Sequence, residues 1–489
     1  MVHIRSFGRR LLPAALALTL GFSFSSCEKI LDVDPQASLD SAAGLKTPAD
    51  VQAALRGSYD AIQSANYYGL RYQLFADLAA DNARHTGTFP SFAEIANGAI
   101  LPANVELTNM WNIIYVGINR VNYVIQQADL ISDPSFDKNG TIAEARALRA
   151  FHYMNLLAYW GGKPEGYGFS DGLGVPLRLT PTTSITGEEI KPKARASEAE
   201  VVEAIRADLD FAIANLPVAR STKAYIGKAT ALALRARLEL RLRNYSAASN
   251  FASELNTALT GGVRLEGDYG AIFSQKNSSE ALWEIPFDAV DPNQLAFFWF
   301  PAAAGGRNEV DPATTLGAAH ETGDLRRNVN VVTASTATSI YPSGTTRKYF
   351  RISASDDNVV LARGGEVILT WAEAVAQQGY LDSAAVLVNR VRTRAALAPY
   401  AFEAPPAGVD GTVPKHVIVA KTNEAVVAAI LKERRVELAN EGFRWFDLRR
   451  TGLVLKTLPV ITQDFRTLWP IPQREIQNSL GLMTQNPGY

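Results

Sequence analysis

The chain has 489 residues, 47% hydrophobic and 20% charged, with 48 Lys and Arg against 49 Asp and Glu. The formal net charge of −1 and the lack of any long basic run exclude a polyanion drawn in by charge, nucleic acid included. Cys27 is the only cysteine, which excludes an intrachain disulfide and a cysteine-based metal site.

In chain order, Arg5, Arg9 and Arg10 precede an apolar run over 11–24, too short to span a bilayer and suited to a signal-peptide core. Ser25, Ser26 and Cys27 follow, and this arrangement resembles a bacterial lipoprotein cleavage site. The resemblance implies removal of residues 1–26, lipidation of Cys27 and a lipid-anchored mature chain 27–489. The acidic stretch 28–35 then reads as a tether. No later run is long enough for a membrane helix.

Thr47 as N-cap with Pro48 behind it starts a helix over 51–63, and 70–80 reads as another. Trp111, Ile114, Tyr115, Ile118, Val121 and Ile125 form the stripe of a long helix over 104–130. Asn122 lies in that stripe and needs an internal partner. A helix over 141–160 puts Ala145, Leu148, His152, Leu156 and Tyr159 on one face, where His152 reads as packed rather than as a ligand. Ser197-Glu198-Ala199-Glu200 has the capping-box pattern of a further helix start. Alanine-rich stretches around Asn244-Tyr245 and around Gln378-Gly379-Tyr380 predict two antiparallel helix pairs of tetratricopeptide type. Between 261 and 360, Gly, Pro, Ser, Thr and Asp dominate, with short β-like runs at 282–286 and 348–352. That part reads as an irregular, loop-rich lobe inserted into a mainly α scaffold covering roughly 40–260 and 361–489.

Near the C-terminus, Val427, Ile430, Leu431 and Leu438 share a helix face, and Arg434 falls about 20° from its centre. A buried arginine keeps its proton and needs an acidic partner; Glu437, Glu441 and Asp447 are the candidates. Gly442 is expected to end this helix. Glu433, Glu437 and Asp447 could serve acid–base chemistry, but the interspersed arginines would hold them ionised, so the stretch reads as a structural knot.

Other catalytic signals are thin. Gly168-Phe-Ser-Asp-Gly172 matches G-x-S-x-G, but lacks the strand before and the helix after that a nucleophile elbow requires. His85, His152, His320 and His416 are far apart and form no i,i+4 metal pair. No phosphate loop or dinucleotide fingerprint is present, so no metal and no cofactor is expected. Aromatics in loops suit recognition instead: Arg84, His85, Phe89 and Phe92 in one loop, Trp299 and Phe300 within Phe297-Phe-Trp-Phe300, and Tyr341 with Arg347 near it. Rings beside hydrogen-bonding side chains suit sugars, whose C–H faces stack while their hydroxyls bond. The alternative is that these rings form the lobe's own core.

Taken together, the chain resembles the SusD/RagB family of Bacteroidetes surface lipoproteins. The resemblance rests on the run from Cys27 to Pro35, Tyr115-x-x-Ile118-Asn-Arg120-x-Asn122, Glu144-Ala-Arg146-x-Leu148-Arg149-Ala150, and Gly174-Val-Pro-Leu177. Glu433-Arg-Arg435-x-Glu437-Leu438, Gly442-x-Arg444-Trp-Phe-Asp-Leu-Arg449 and Gln485-Asn-Pro-Gly-Tyr489 complete it. It implies tetratricopeptide-like helix pairs with an irregular lobe, and a non-catalytic protein on the outer face of the outer membrane. Such a protein captures oligosaccharide and serves a SusC-like TonB-dependent transporter. A peptide- or protein-binding lipoprotein on the same scaffold is the alternative, with a glycoside hydrolase third. The shared motifs assign no ligand-binding residue, so the site expected from the loop aromatics stands on its own argument.

Overall fold

Helices begin where the caps predict. The computed structural model describes residues 45–184, 186–402 and 417–489; residues 1–26, Cys27, the acidic stretch 28–35 and His416 lie outside them. All elements below belong to one unit, Thr47–Tyr489. Thr47 accepts from the Asp50 N–H and Asp50 reciprocates at the start of the Pro48–Ser58 helix. Ser197 and Glu200 form the same box before Glu198–Asn215. The helix expected over 51–63 is broken at Tyr59 into Pro48–Ser58 and Asp60–Gln63. Tyr59 is buried there, and its hydroxyl donates to Glu144 at 2.5 Å.

The scaffold is a succession of antiparallel helices: Val105–Leu130 against Lys138–Trp160, then Glu198–Asn215, Lys228–Arg241 and Tyr245–Ala258, and later Gly364–Gln377 against Leu381–Arg394. The two alanine-rich pairs stack on each other, with Leu240, Ala248 and Ala374 buried between them. Small residues allow that close approach, and Gly379 makes its turn at a φ of 87°. Asn122 finds its partners: it donates to Arg178 O at 3.0 Å and accepts from Arg149, whose Nε donates to Asp208 at 2.7 Å. His152 is fully buried and held neutral, its pKa pushed down to about 3 by burial.

Residues 261–360 carry short helical turns and strands. Ala281–Ile285 pairs antiparallel with Val359–Arg363, and Ala83–His85 with Val310–Pro312. The run 348–352, expected as β-like, forms turns instead. It wraps the knot, with the Lys348 ammonium donating to Glu441 at 2.6 Å and the Tyr349 hydroxyl to Asn440 O at 2.9 Å.

The knot is deeper than the sequence suggests. Arg434 is buried and donates to Asp447 at 3.2 Å, the expected partner, and to Thr370 at 3.1 Å. Glu437 and Glu441 serve other cations. Arg363 reaches Glu280 and Glu437 at 2.6 Å and Glu441 at 2.8 Å, while Arg326 reaches Asp324, Glu433 and Glu437. Gly442 does not end the helix. Asn423–Glu437 stops earlier, capped by Leu438, and Gly442 follows at a φ of 82°. Its N–H donates to Asp77 at 2.7 Å, and a Cβ there would lie 2.5 Å from Gln73 Cα. Close approach, not capping, requires this glycine. Burial pushes Asp77 up to about 7.

At the C-terminus Gln485 bonds both backbone groups of Ile471, and the Asn486 amide donates to Trp160 O and Trp469 O. No helix among the described residues is long and apolar enough to cross a membrane.

Candidate functional site

The Ala83–His85 strand and its partner Val310–Pro312 bring two of the predicted loops to one face. Glu309, which precedes the second strand, is fully buried and organises what lies above it. Its carboxylate accepts from the Phe89 N–H at 2.7 Å, from His85 Nε2 at 2.9 Å and from Arg307 Nε at 2.9 Å. Burial works against its charge, but these donors outweigh burial and hold the carboxyl below its usual range. Gly87 lies directly on this carboxylate: a Cβ there would meet it at 2.3 Å.

Over that anchor the side chains turn outward. The Arg307 guanidinium stacks 3.7 Å from the centroid of the half-buried Phe89 ring. Arg84 is 57% exposed and donates to Asp311 at 2.6 Å. Burial raises the Asp311 carboxyl, whose second oxygen has no partner among the described residues and lies beside Gly344. Gly344 belongs to the loop of Tyr341, a half-buried ring with Arg347 4.8 Å from its centroid and Phe350 at 5.2 Å. The outcome is a rim of Arg84, His85, Phe89, Arg307 and, through Gly344, the Tyr341 loop.

Three expected site residues are not part of it. Phe92 is 0% exposed, stacked on Phe298 at 5.6 Å and edge-on to Phe75 at 5.0 Å. Trp299 and Phe300 are each 1% exposed. These rings are the core beneath the face, as the alternative held, and none can stack on a ligand. The exposed ring of that run is Phe297, at 40%. The run forms a helical turn, Leu295–Trp299, whose neighbours point to different sides. Sequence reasoning also missed Glu309 and Arg307. Their only local signal is a charged Arg-Asn-Glu run inside an otherwise weakly charged loop.

The other catalytic readings close on geometry. Gly168 and Phe169 donate their N–H groups to Glu198, so the G-x-S-x-G stretch is a loop pinned to a helix start. In the knot, burial opposes the charge of Asp447, yet Arg434 and Arg450 hold its pKa down to about 2. Glu437 is likewise held far below its usual range by Arg394, Arg363 and Arg326 against burial. Carboxylates so engaged do not shuttle protons near neutral pH. Among the described residues, no group of three or more His, Cys, Asp and Glu is placed to hold a metal ion.

Comparison with known proteins locates the chain. A model of the SusD family matches residues 319–460, and one described as starch-binding, associating with outer membrane, matches 29–240. Two SusD-like proteins of Formosa agariphila are 27% and 28% identical, covering 93% and 94% of this chain and 94% and 96% of their own lengths. A SusD superfamily structure from Bacteroides vulgatus superposes with a TM-score of 0.75 at 20% identity, over 91% of this chain and all of that one. A laminarin-binding SusD-like protein superposes with a TM-score of 0.71 at 21% identity, again over 91% of this chain and all of that one.

Proposed function

We infer the function of this chain from its membership of the SusD/RagB family and from the rim over Glu309. It is a non-catalytic glycan-capturing lipoprotein of the outer membrane that faces the exterior and hands oligosaccharide to a SusC-like TonB-dependent transporter. The observation that carries the reading is the rim itself. Exposed Arg84 and Phe297, with half-buried His85, Phe89 and Tyr341, offer ring faces beside hydrogen-bonding groups. The buried, ionised Glu309 accepts from the Phe89 N–H and from His85 and so fixes that segment. That combination matches a sugar, whose C–H face stacks while its hydroxyls bond. Neighbours named for laminarin and carbohydrate binding support the same class.

Affinity electrophoresis of the soluble chain, from Glu28 onward, against a polysaccharide panel tests the reading. Retardation by at least one glycan, weakened in Arg84→Ala/Tyr341→Ala, is the expected result. Binding to peptides with none to any glycan would transfer the assignment to the peptide-binding alternative, and release of reducing ends would revive the hydrolase. Cys27→Ala is expected to release the protein from membranes, and persistent anchoring would remove the lipoprotein assignment.

A further inference from the structure

A cavity of about 710 Å³ lies away from the rim, and none of its lining residues belongs to the rim. Its size falls within the range of about 300–1,000 Å³ usual for small-molecule sites. One wall is the Val105–Leu130 helix, where Asn112, Tyr115, Val116 and Asn119 follow i, i+3, i+4, i+7 spacing into the space. The facing wall is the short Gln473–Asn478 helix, which presents Glu475 and Asn478. The segment with Arg178 and Lys193 forms the third side.

The chemistry of this cavity is selective. The Trp111 and Tyr115 rings lie 5.1 Å apart at 43°. Both are fixed by their polar ends: the Tyr115 hydroxyl donates to Pro176 O at 2.8 Å, and the Trp111 indole is hydrogen-bonded to Glu475. The cations are engaged elsewhere. Arg178 donates to Glu189 O and Lys191 O, Lys193 to Leu177 O, and Arg120 to Asp60. The side chains of Asn112 and Asn478 have no partner within the chain among the described residues, and both are exposed. Trp111 is buried, so the groups left to meet a ligand are the half-buried Tyr115 ring, two amides and one carboxylate. Hydroxyls satisfy such a set by donating to the carboxylate and bonding both ways with the amides.

We propose that this cavity is a second glycan subsite, separate from the rim, which takes a short oligosaccharide segment. The proposal rests on the glycan-capturing reading above and adds to it a site. Two subsites on one chain would let a long polysaccharide bind at both, the second contact forming at high effective concentration.

Isothermal titration of the soluble chain tests this with neutral gluco-, xylo- and manno-oligosaccharides. The variants are Asn112→Ala/Asn478→Ala, the plug Val116→Trp, and the rim variant Arg84→Ala/Tyr341→Ala. All the substituted side chains are exposed or half-buried, so each fold is checked simply by circular dichroism. The expected result is residual binding of a neutral oligosaccharide by the rim variant. That residue weakens about tenfold or more when either cavity substitution is added, equivalent to about 1.4 kcal/mol. If the rim variant alone abolishes all binding, the cavity proposal is overturned and the glycan reading stands. A wild-type chain that binds no glycan removes both.

Discussion

The knot beneath the Asn423–Glu437 helix and the rim beside the Ala83–His85 strand use the same kinds of side chain, arginine, carboxylate and aromatic, to opposite ends. In the knot the central charges are buried and answered from several directions: Arg363 alone bridges Glu280, Glu437 and Glu441. In the rim the buried carboxylate of Glu309 is answered from above, and Arg307 over it keeps a face in solvent. A charge satisfied on all sides by its own chain has nothing left for a ligand. The densest chemistry in the sequence is therefore the least available, and a sparse loop is the better candidate for binding.

This contrast can be broken most forcefully in the knot. Arg363→Met leaves three buried carboxylates short of a partner, and unfolding free energy is expected to fall by about 3–5 kcal/mol in urea titrations. Ligand binding by the folded fraction should be unchanged; a binding defect with stability intact would mean the knot takes part in recognition. Glu309→Gln is expected to cost less, about 2 kcal/mol, because it weakens charge-assisted bonds without stranding a buried ion. It should nevertheless impair ligand binding, since Phe89, His85 and Arg307 share that acceptor. Unaltered affinity would show that the rim does not depend on its anchor.

Acid separates the regions further. Against burial, Arg434 and Arg450 hold the Asp447 carboxyl down to about 2 from an ordinary value of 3.8. Its contribution is present above about pH 4 and is lost as pH falls toward 2, an effect of about 2 kcal/mol. Asp77, raised to about 7, acts with the opposite sign, adding stability as pH falls from about 7 to 4. The knot's loss is therefore read below pH 4, and Asp447→Asn should flatten the stability profile there. The smallest expected effect on folding is at the rim surface. Arg84→Ala should change stability by less than about 0.5 kcal/mol, since the side chain is 57% exposed. A larger loss in thermal unfolding would make Arg84 structural.

What could be read in advance follows sequence distance. The caps at Thr47 and Ser197, the stripe of the Val105–Leu130 helix and the Arg434–Asp447 pair are local, set within a few turns. The partners of Glu309 are not: His85 and Phe89 lie more than 200 positions away, and nothing near Glu309 announces them. Trp299 and Phe300 were misjudged for a related reason. Whether a loop ring is covered depends on segments that pack over it from elsewhere, and composition carries no record of that. The 710 Å³ cavity is likewise built by helices that begin at Val105 and Gln473, so its two walls never appear together in the sequence.

Gly87 carries a consequence for how this face could diversify. With the Glu309 carboxylate 2.3 Å from where a Cβ would sit, a side chain at position 87 would push that carboxylate off its donors. Arg84 and Phe297, by contrast, lie on segments that the Glu309 backbone ties together through Thr86, Gly87 and Phe298, and Tyr341 lies on a third segment. A library that randomises those three positions and leaves 87 and 309 alone would sample new ligands on an intact fold. One that includes position 87 would also disturb the carboxylate that anchors this face. Specificity and foldability are thus written in different residues, Gly87 three positions from Arg84 while Phe297 and Tyr341 come from distant segments.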